Sequence, residues 1–215
     1  MIEPSCFLSL CASAVETYNR ECGGFLMGKE GKRQIRGRTR KGLVVHMAYP
    51  LQTADRKPSS VAHGNFKAFQ RARAAMHALS GLREIAVIGG YHSHPGGRCA
   101  LSRDDLEFIY YEFERMEREH RHLPMEAWIE IVIAISKRKY ASPRSTGGFW
   151  RWRDYPLKVG CTLQTSSTVG YAITIGAFWV PRLEAADLAE FLAYDKNTLV
   201  REAAVRVPWE RSYWA

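Results

Sequence analysis

The hydrophobic positions of this chain change repeatedly between a helical spacing and a strand-like spacing. The apolar run at residues 6–15 predicts a first helix that reaches about Arg20, and strands are expected at residues 22–27 and twice more within 33–49. Apolar residues then recur at helical spacing from Phe66 to a stop at Gly81. Residues 85–88 are apolar at every position, which is typical of a strand that is buried on both faces.

The second half of the chain continues this interleaving of helices and strands. A helix with one apolar stripe is expected from Ser102, and another buried strand at residues 128–135. The remaining expectations are loops at 50–60 and 143–148, strands at 149–153 and 171–180, and a helix at 183–194. An aromatic tail with Trp209, Tyr213 and Trp214 either packs on the domain or offers anchors to a partner. This order of elements indicates an α/β domain.

Composition supports an ordinary globular chain and excludes several other classes. With 215 residues and 46% hydrophobic content, the chain can bury a core without disulfides or metals as staples. No apolar run approaches the roughly 18 residues that a membrane span requires, and no basic residue precedes the apolar run at 6–15, as a signal peptide would need. Five widely spaced cysteines without a Cys-x-x-Cys pair favour a reducing cytoplasm over a disulfide framework.

Positive charge is concentrated in one segment. The formal net charge is +9, and the excess lies at residues 29–41, where Arg36, Arg38 and Arg40 alternate with uncharged residues. Alternation places these three side chains on one face of a strand. The segment is either a solvated edge strand or a docking surface for an acidic partner. Nucleic acid is not favoured as that partner, because no recognised nucleic-acid module surrounds the segment.

Two histidines stand at the end of the buried strand at residues 85–88. His92 and His94 are two residues apart, so their side chains leave a strand on the same face, and Pro95 follows them. A lone buried histidine is usually a core residue, but two imidazoles that converge in this way fit a zinc site. Such a site needs at least one more ligand from the protein.

The next helix supplies a candidate for the third ligand. Asp105 lies in its first turn and can direct a carboxylate toward the strand end. Two histidines and one carboxylate leave a coordination position open for water, as in catalytic zinc sites. The alternative is a helix cap, because Ser102 followed three residues later by Asp105 also resembles a capping box. Combined with the two histidines, the metal interpretation is favoured, and the serine is compatible with both.

Two separated motifs resemble one known family. His92-Ser93-His94-Pro95, followed by Ser102 and Asp105, is similar to the His-x-His-x(7)-Ser-x-x-Asp signature of the JAMM (MPN+, Jab1/Mov34) zinc metalloproteases. Residues 21–28 read Glu-Cys-Gly-Gly-Phe-Leu-Met-Gly, which resembles the upstream glutamate strand of that family. The resemblance extends over residues 15–135.

The resemblance implies a fold and a set of roles. The fold is the MPN/JAMM (cytidine-deaminase-like) α/β fold, a mixed curved sheet flanked by helices, with a catalytic core at 1–140 and a completing or extending segment at 141–215. His92, His94 and Asp105 are implied as ligands of Zn²⁺. Glu21 is implied as the general base that activates the zinc-bound water, and Ser102 as the hydroxyl that helps to hold the oxyanion. Without the resemblance, Glu21 would be interpreted as a surface residue.

The implied activity is that of the prokaryotic, deubiquitinase-like branch of the family. The chain would be a cytoplasmic isopeptidase or peptidase that cuts after the C-terminal glycine of a ubiquitin-like protein. Its partners would then be that protein, its conjugates and components of a conjugation system. One alternative is an MPN-like scaffold that binds an acidic partner or nucleic acid through the basic segment, and another is an enzyme that acts on small peptides or amino-acid adducts.

Four further features bear on the resemblance. Cys99 is expected to be a small buried residue that shapes the substrate groove and not a metal ligand. Gly23 and Gly24 indicate a bulge or a close backbone approach. Gly89-Gly90 departs from the eukaryotic members, which usually carry a bulky residue here, so their fine substrate preference is not carried over, whereas the metal site is unaffected. His120 and His122 repeat the spacing of the motif but are expected on a solvated helix end.

Overall fold

A computed structural model describes most of the chain. The described residues are 1–35, 38–52, 55–58, 60–62, 66–83, 85–119, 127–140, 149–151, 157–182 and 200–207. The helices are α1 (Pro4–Glu16), α2 (Phe66–Arg83) and α3 (Arg103–Arg118). The strands are β1 (Gly23–Ile35), β2 (Arg38–Pro50), β3 (Asp55–Lys57), β4 (Ser60–Ala62), β5 (Ala86–Pro95), β6 (Ala127–Lys139), β7 (Phe149–Arg151), β8 (Val159–Gln164), β9 (Val169–Pro181) and β10 (Arg201–Ala203).

Eight strands form one mixed sheet. Its order is β2-β1-β5-β6-β9-β8-β7, with β10 paired to β9, and β3 and β4 form a separate hairpin. The β5–β6 pair is parallel and the other described pairs are antiparallel. A parallel pair needs a crossover connection, and α3 lies within it. The expected α/β architecture with a mixed sheet is therefore confirmed.

The central strand β6 buries both of its faces. Ile131 and Ile133 join the core cluster that includes Phe7 and Leu10 of α1. Trp128 faces the other way, into a cluster with α3. This alternation follows from the two-residue period of a strand and explains why residues 127–133 are buried without interruption. Helices α1 and α3 thus cover opposite faces of the sheet.

Several predicted elements are confirmed and some are wrong in detail. Helices are present at 66–83 and from 103, and buried strands include residues 86–88 and 128–135. The expectation of two strands within 33–49 is wrong, because residues 33–35 continue β1 and only β2 follows in that range. The expected loop at 50–60 contains the short strand β3 and reaches the first residue of β4, and strands β8 and β10 were not predicted.

Some predictions lie outside the described residues. They concern the loop at 143–148, the helix at 183–194, the aromatic tail, Arg36, and the histidines His120 and His122. All five cysteines are described, and each is buried and free. Within the described part of the chain, no helix combines the length and apolar character that a membrane span requires.

Candidate metal centre

The end of β5 places both histidines of the motif on one face of the sheet. His92 pairs with Gly23 of β1 on one side and with Val132 of β6 on the other. The intervening Ser93 is fully buried, and its hydroxyl accepts a hydrogen bond from the Cys22 N–H at 2.9 Å. The histidine side chains therefore project from a strand that is held on both sides.

The first turn of α3 brings Asp105 to these histidines. Ser102 is the N-cap residue, and its hydroxyl accepts a hydrogen bond from the Asp105 N–H at 3.1 Å. Asp105 Oδ2 in turn accepts from the Ser102 N–H at 2.6 Å. The capping box is thus confirmed, and the same carboxylate also lies beside the imidazoles. The geometry of Asp105 is therefore compatible with both the helix cap and the metal interpretation.

The three candidate ligands have the spacing of a metal coordination site. His92 Nε2 lies 3.0 Å from His94 Nε2 and 3.3 Å from Asp105 Oδ1, and His94 Nε2 lies 3.8 Å from Asp105 Oδ2. Zinc bonds of 2.0–2.1 Å arranged as a tetrahedron separate neighbouring donor atoms by about 3.4 Å. The donor set and its size therefore fit a zinc ion, and the cluster His92, His94 and Asp105 could hold a metal.

The remaining ring nitrogens orient both imidazoles. His92 Nδ1 donates to Glu130 Oε1 at 2.7 Å, and His94 Nδ1 donates to the Arg98 carbonyl at 2.9 Å. A proton on each Nδ1 leaves the Nε2 lone pairs directed at one another. Two lone pairs at this distance repel unless a cation or a proton lies between them. Metal-binding histidines are commonly oriented in this way by a carboxylate or a carbonyl.

Glu130 is a residue of the candidate site that the sequence analysis did not identify. Its carboxylate is buried on β6 and also accepts a hydrogen bond from Trp128 Nε1 at 2.6 Å. A single charged residue within the apolar run 127–135 was the available signal, since a charge in such a strand needs a partner. Its partner is His92 on the neighbouring strand.

The charges of the site favour a cation. Burial opposes the charged form of His92, but hydrogen bonds and charge from Asp105 and Glu130 outweigh it and raise its pKa to about 10. Burial likewise opposes ionisation of Asp105, yet the interaction with His92 and the bonds to Ser102 lower its pKa to about 2. The two neighbouring carboxyl side chains thus stabilise positive charge at His92.

Glu21 lines a cavity together with the three candidate ligands. It lies two residues before the start of β1. It is 8% exposed, and its N–H donates to the Lys57 carbonyl at 2.8 Å. Burial raises its pKa to about 7, with His92 lowering it and Asp105 raising it. A carboxyl with this pKa can accept and release a proton near neutral pH. Glu21 is therefore a buried group of the site and not a surface residue.

One cavity of about 360 Å³ collects the five residues singled out from the sequence. The residues predicted from the sequence that line this cavity are Glu21, His92, His94, Ser102 and Asp105. Cys99 is buried as expected, and burial raises its pKa to about 11, but it does not line this cavity. Its thiol instead donates to the Val132 carbonyl at 3.3 Å.

Glycines make room for this arrangement. A Cβ on Gly24 would lie 2.1 Å from the Tyr49 carbonyl oxygen, and one on Gly90 would lie 2.8 Å from Glu130 Oε2. Gly24 is thus a close backbone approach, and the bulges of β1 lie further on, around Met27. The absence of a bulky residue at position 90 is explained by the Glu130 carboxylate, which occupies that space.

Comparison with known proteins identifies the family. The sequence model for prokaryotic homologs of the JAB domain, named Prok-JAB, matches residues 3–151. The chain belongs to the Prok-JAB family. No curated protein matches the sequence of this JAB domain. The solution structure of protein DSY2949 from Desulfitobacterium hafniense is similar at 14% identity and a TM-score of 0.46, over 96% of this chain and 92% of that one.

Proposed function

We propose that this JAB domain is a zinc-dependent peptidase or isopeptidase that cleaves after the C-terminal glycine of a ubiquitin-like protein. The observation that carries the proposal is the cavity in which two histidines and Asp105 form a coordination triangle beside the buried carboxyl of Glu21. An open site of this composition is typical of catalytic and not of structural zinc. JAB-domain membership agrees with a hydrolase of this kind.

Each residue of the cavity has a chemical task in this proposal. A bound zinc ion would polarise a carbonyl and acidify a water molecule. Glu21, with a pKa near neutrality, accepts a proton from the attacking water and delivers it to the leaving amine. Ser102 Oγ accepts the Asp105 N–H, and its own hydrogen can be donated to the oxygen of the tetrahedral intermediate. Glu130 and the Arg98 carbonyl keep the two imidazoles oriented.

The shape of the cavity supports a narrow substrate. Glycines at positions 23, 24 and 90 line it without side chains, whereas Phe25, Leu51 and Phe108 supply apolar wall. Glycine walls allow a substrate backbone to approach closely. A C-terminal tail with small residues, as in ubiquitin-like proteins, suits this space. Conjugates of that protein and components of its conjugation system are the proposed partners, in a cytoplasmic setting that five free cysteines favour.

The decisive experiment combines cleavage with metal analysis. A panel of ubiquitin-like proteins, some with a C-terminal extension and some linked through lysine, is incubated with the wild type and with Glu21→Gln. We expect cleavage after the terminal glycine by the wild type and a loss of at least about 100-fold in the variant, because the variant lacks the proton acceptor. Both proteins are expected to hold one zinc ion per chain.

The other outcomes separate the alternatives. The protein could bind zinc, leave the panel uncleaved and hydrolyse small peptides or amino-acid adducts. This outcome would support the proposed zinc hydrolysis and refute the proposed ubiquitin-like substrate. If the protein binds neither zinc nor its substitute cobalt, the proposal of a zinc enzyme is refuted. That result would favour a scaffold that binds an acidic partner through the basic segment.

A further inference from the structure

A buried lysine contacts the chain segment that follows the two histidines, and it belongs to the part of the chain that the family model does not match. Lys158 immediately precedes β8 and is 9% exposed. Its Nζ donates to the Cys99 carbonyl at 2.7 Å and lies 3.1 Å from Glu202 Oε1 of β10. Lysine is rarely buried without such partners, because transfer of its charge from water is costly.

The carbonyl that Lys158 binds belongs to the connection between β5 and α3. The neighbouring carbonyl in this connection, that of Arg98, accepts the hydrogen bond from His94 Nδ1. Lys158 therefore holds the peptide next to the one that orients a candidate metal ligand. At the start of the same connection, the Gly96 N–H donates to the Ile135 carbonyl at 2.7 Å.

Packing leaves this connection little freedom to move toward β9. A Cβ on Gly176 would lie 2.8 Å from Cys99 Sγ and 3.5 Å from Lys158 Cε. Lys158 Nζ also lies 5.9 Å from the centroid of the Phe178 ring. The lysine is thus enclosed by β9, β10 and the connection itself, and a change in its position would be transmitted to Cys99.

We propose that Lys158 is a positioning residue of the metal centre: by clamping the Cys99 carbonyl it fixes the adjacent Arg98 carbonyl and so directs His94 Nε2 at the metal. This inference rests on the metal site of the proposed function. It assigns the strands beyond residue 151 a role in preparing that site. Loss of an outer partner of a ligating histidine weakens metal binding by about 10-fold to 100-fold in other proteins.

The test compares metal binding by full-length Lys158→Met with that of the wild type. Zinc and cobalt affinities are measured by chelator competition near pH 7, and the visible absorption spectrum of the cobalt form is recorded. We expect Lys158→Met to bind both metals at least about 10-fold more weakly and to show an altered cobalt spectrum, because His94 is no longer held in one orientation. These readouts do not depend on the identity of the substrate.

The matched control is Val159→Ala. Val159 is the next residue and is 2% exposed in the core, so its truncation destabilises the fold but removes no hydrogen-bond donor from the Cys99 carbonyl. Its metal affinity and cobalt spectrum are expected to equal those of the wild type. Equal weakening in both variants would overturn the proposal, since general loss of stability would then explain it.

A second variant decides the question if Lys158→Met does not fold. Glu202→Gln removes the charge partner of Lys158 at a side chain that is 37% exposed, so folding is retained. We expect a weakening of metal binding of about threefold. Wild-type affinity in every folded variant would refute the role of Lys158 alone, whereas absence of metal in the wild type itself would refute the proposed function.

Discussion

Three ionisable side chains of the cavity make the metal-free protein sensitive to pH. Folding raises the pKa of His92 from 6.5 to about 10, so the protonated imidazole stabilises the folded protein. This contribution to the free energy of unfolding is complete below pH 6.5 and is lost as the pH rises to 10. The pKa of Glu21 rises from 4.5 to about 7, so its ionisation above pH 4.5 also lowers stability. The pKa of Asp105 falls from 3.8 to about 2, so its contribution is lost only in strong acid.

We therefore predict that the metal-free protein loses stability steadily from pH 5 to pH 10. Urea unfolding in the presence of a chelator at pH 5, 7 and 9 measures the effect. Glu21→Gln should remove the part of the decline between pH 5 and 7, of the order of 2 kcal/mol, because the amide does not ionise. An identical decline in Glu21→Gln and the wild type would show that Glu21 is not the buried acid described above.

Zinc content distinguishes the ligands from the proton acceptor. His94→Ala and Asp105→Ala are expected to lose zinc, since each removes one of three donor atoms, whereas Glu21→Gln should retain it. Elemental analysis of the purified variants gives the result directly. Full zinc occupancy in Asp105→Ala would contradict the assignment of this carboxylate as a ligand.

The residues of the site that belong to local motifs were predictable from the sequence. Those that reach the site only through contacts between distant strands were not. His92, His94 and Asp105 are predictable because strand alternation and a helix start place them together. Glu130 reaches His92 through the pairing of β5 with β6, and Lys158 reaches the Cys99 carbonyl from the residue before β8. These contacts connect residues 38 to 59 positions apart, and no local pattern encodes them.

Among the elements, the β5–β6 pair contains a glycine, Gly89, that packs closely against its partner Ile129. A Cβ on Gly89 would lie 1.8 Å from the Ile129 carbonyl oxygen, which is backbone and cannot move aside cheaply. We predict that Gly89→Ala lowers the free energy of unfolding by about 3 kcal/mol or more. Gly42→Ala is the control, because nothing lies within 4 Å of its added Cβ, and its effect should stay within about 0.5 kcal/mol.

Chemical denaturation of the two variants beside the wild type tests this prediction. A Gly89→Ala protein as stable as Gly42→Ala would mean that β5 and β6 separate without cost, which would contradict the close approach between them. The parallel pairing is what carries His92 next to Glu130, so zinc affinity should fall together with stability in Gly89→Ala.

Elements were predictable from sequence where burial imposes a pattern. The strands around residues 87 and 131 are apolar on both faces, and α3 carries one apolar stripe, so each has a clear signature. The hairpin of β1 and β2 extends through charged residues, where register is set by backbone pairing such as Lys32 with Lys41. That segment lacks an apolar signal, and the number of its strands was therefore predicted wrongly.

On the scale of the whole molecule, the sheet continues from the expected core at 1–140 into the segment at 141–215, which was expected to complete or extend the same domain. β6 pairs with β9 over its whole length, from Ala127 opposite Pro181 to Lys139 opposite Val169. β9 lies entirely after residue 140. Removing residues 141–215 would leave β6 as a long apolar edge strand with unpaired backbone groups. Such edges associate with other chains.

We predict that residues 1–140 alone do not form a folded monomer. Expressed alone, this fragment is expected in the insoluble fraction or in large soluble aggregates, and co-expression with residues 141–215 should recover a complex that binds zinc, because β9 then pairs with β6 and Lys158 reaches Cys99. Size-exclusion chromatography, circular dichroism and zinc analysis measure these outcomes. A monomeric 1–140 fragment with native zinc affinity would instead establish an independent core and would also remove the need for Lys158, so this one truncation tests the domain boundary and the role of the C-terminal strands together.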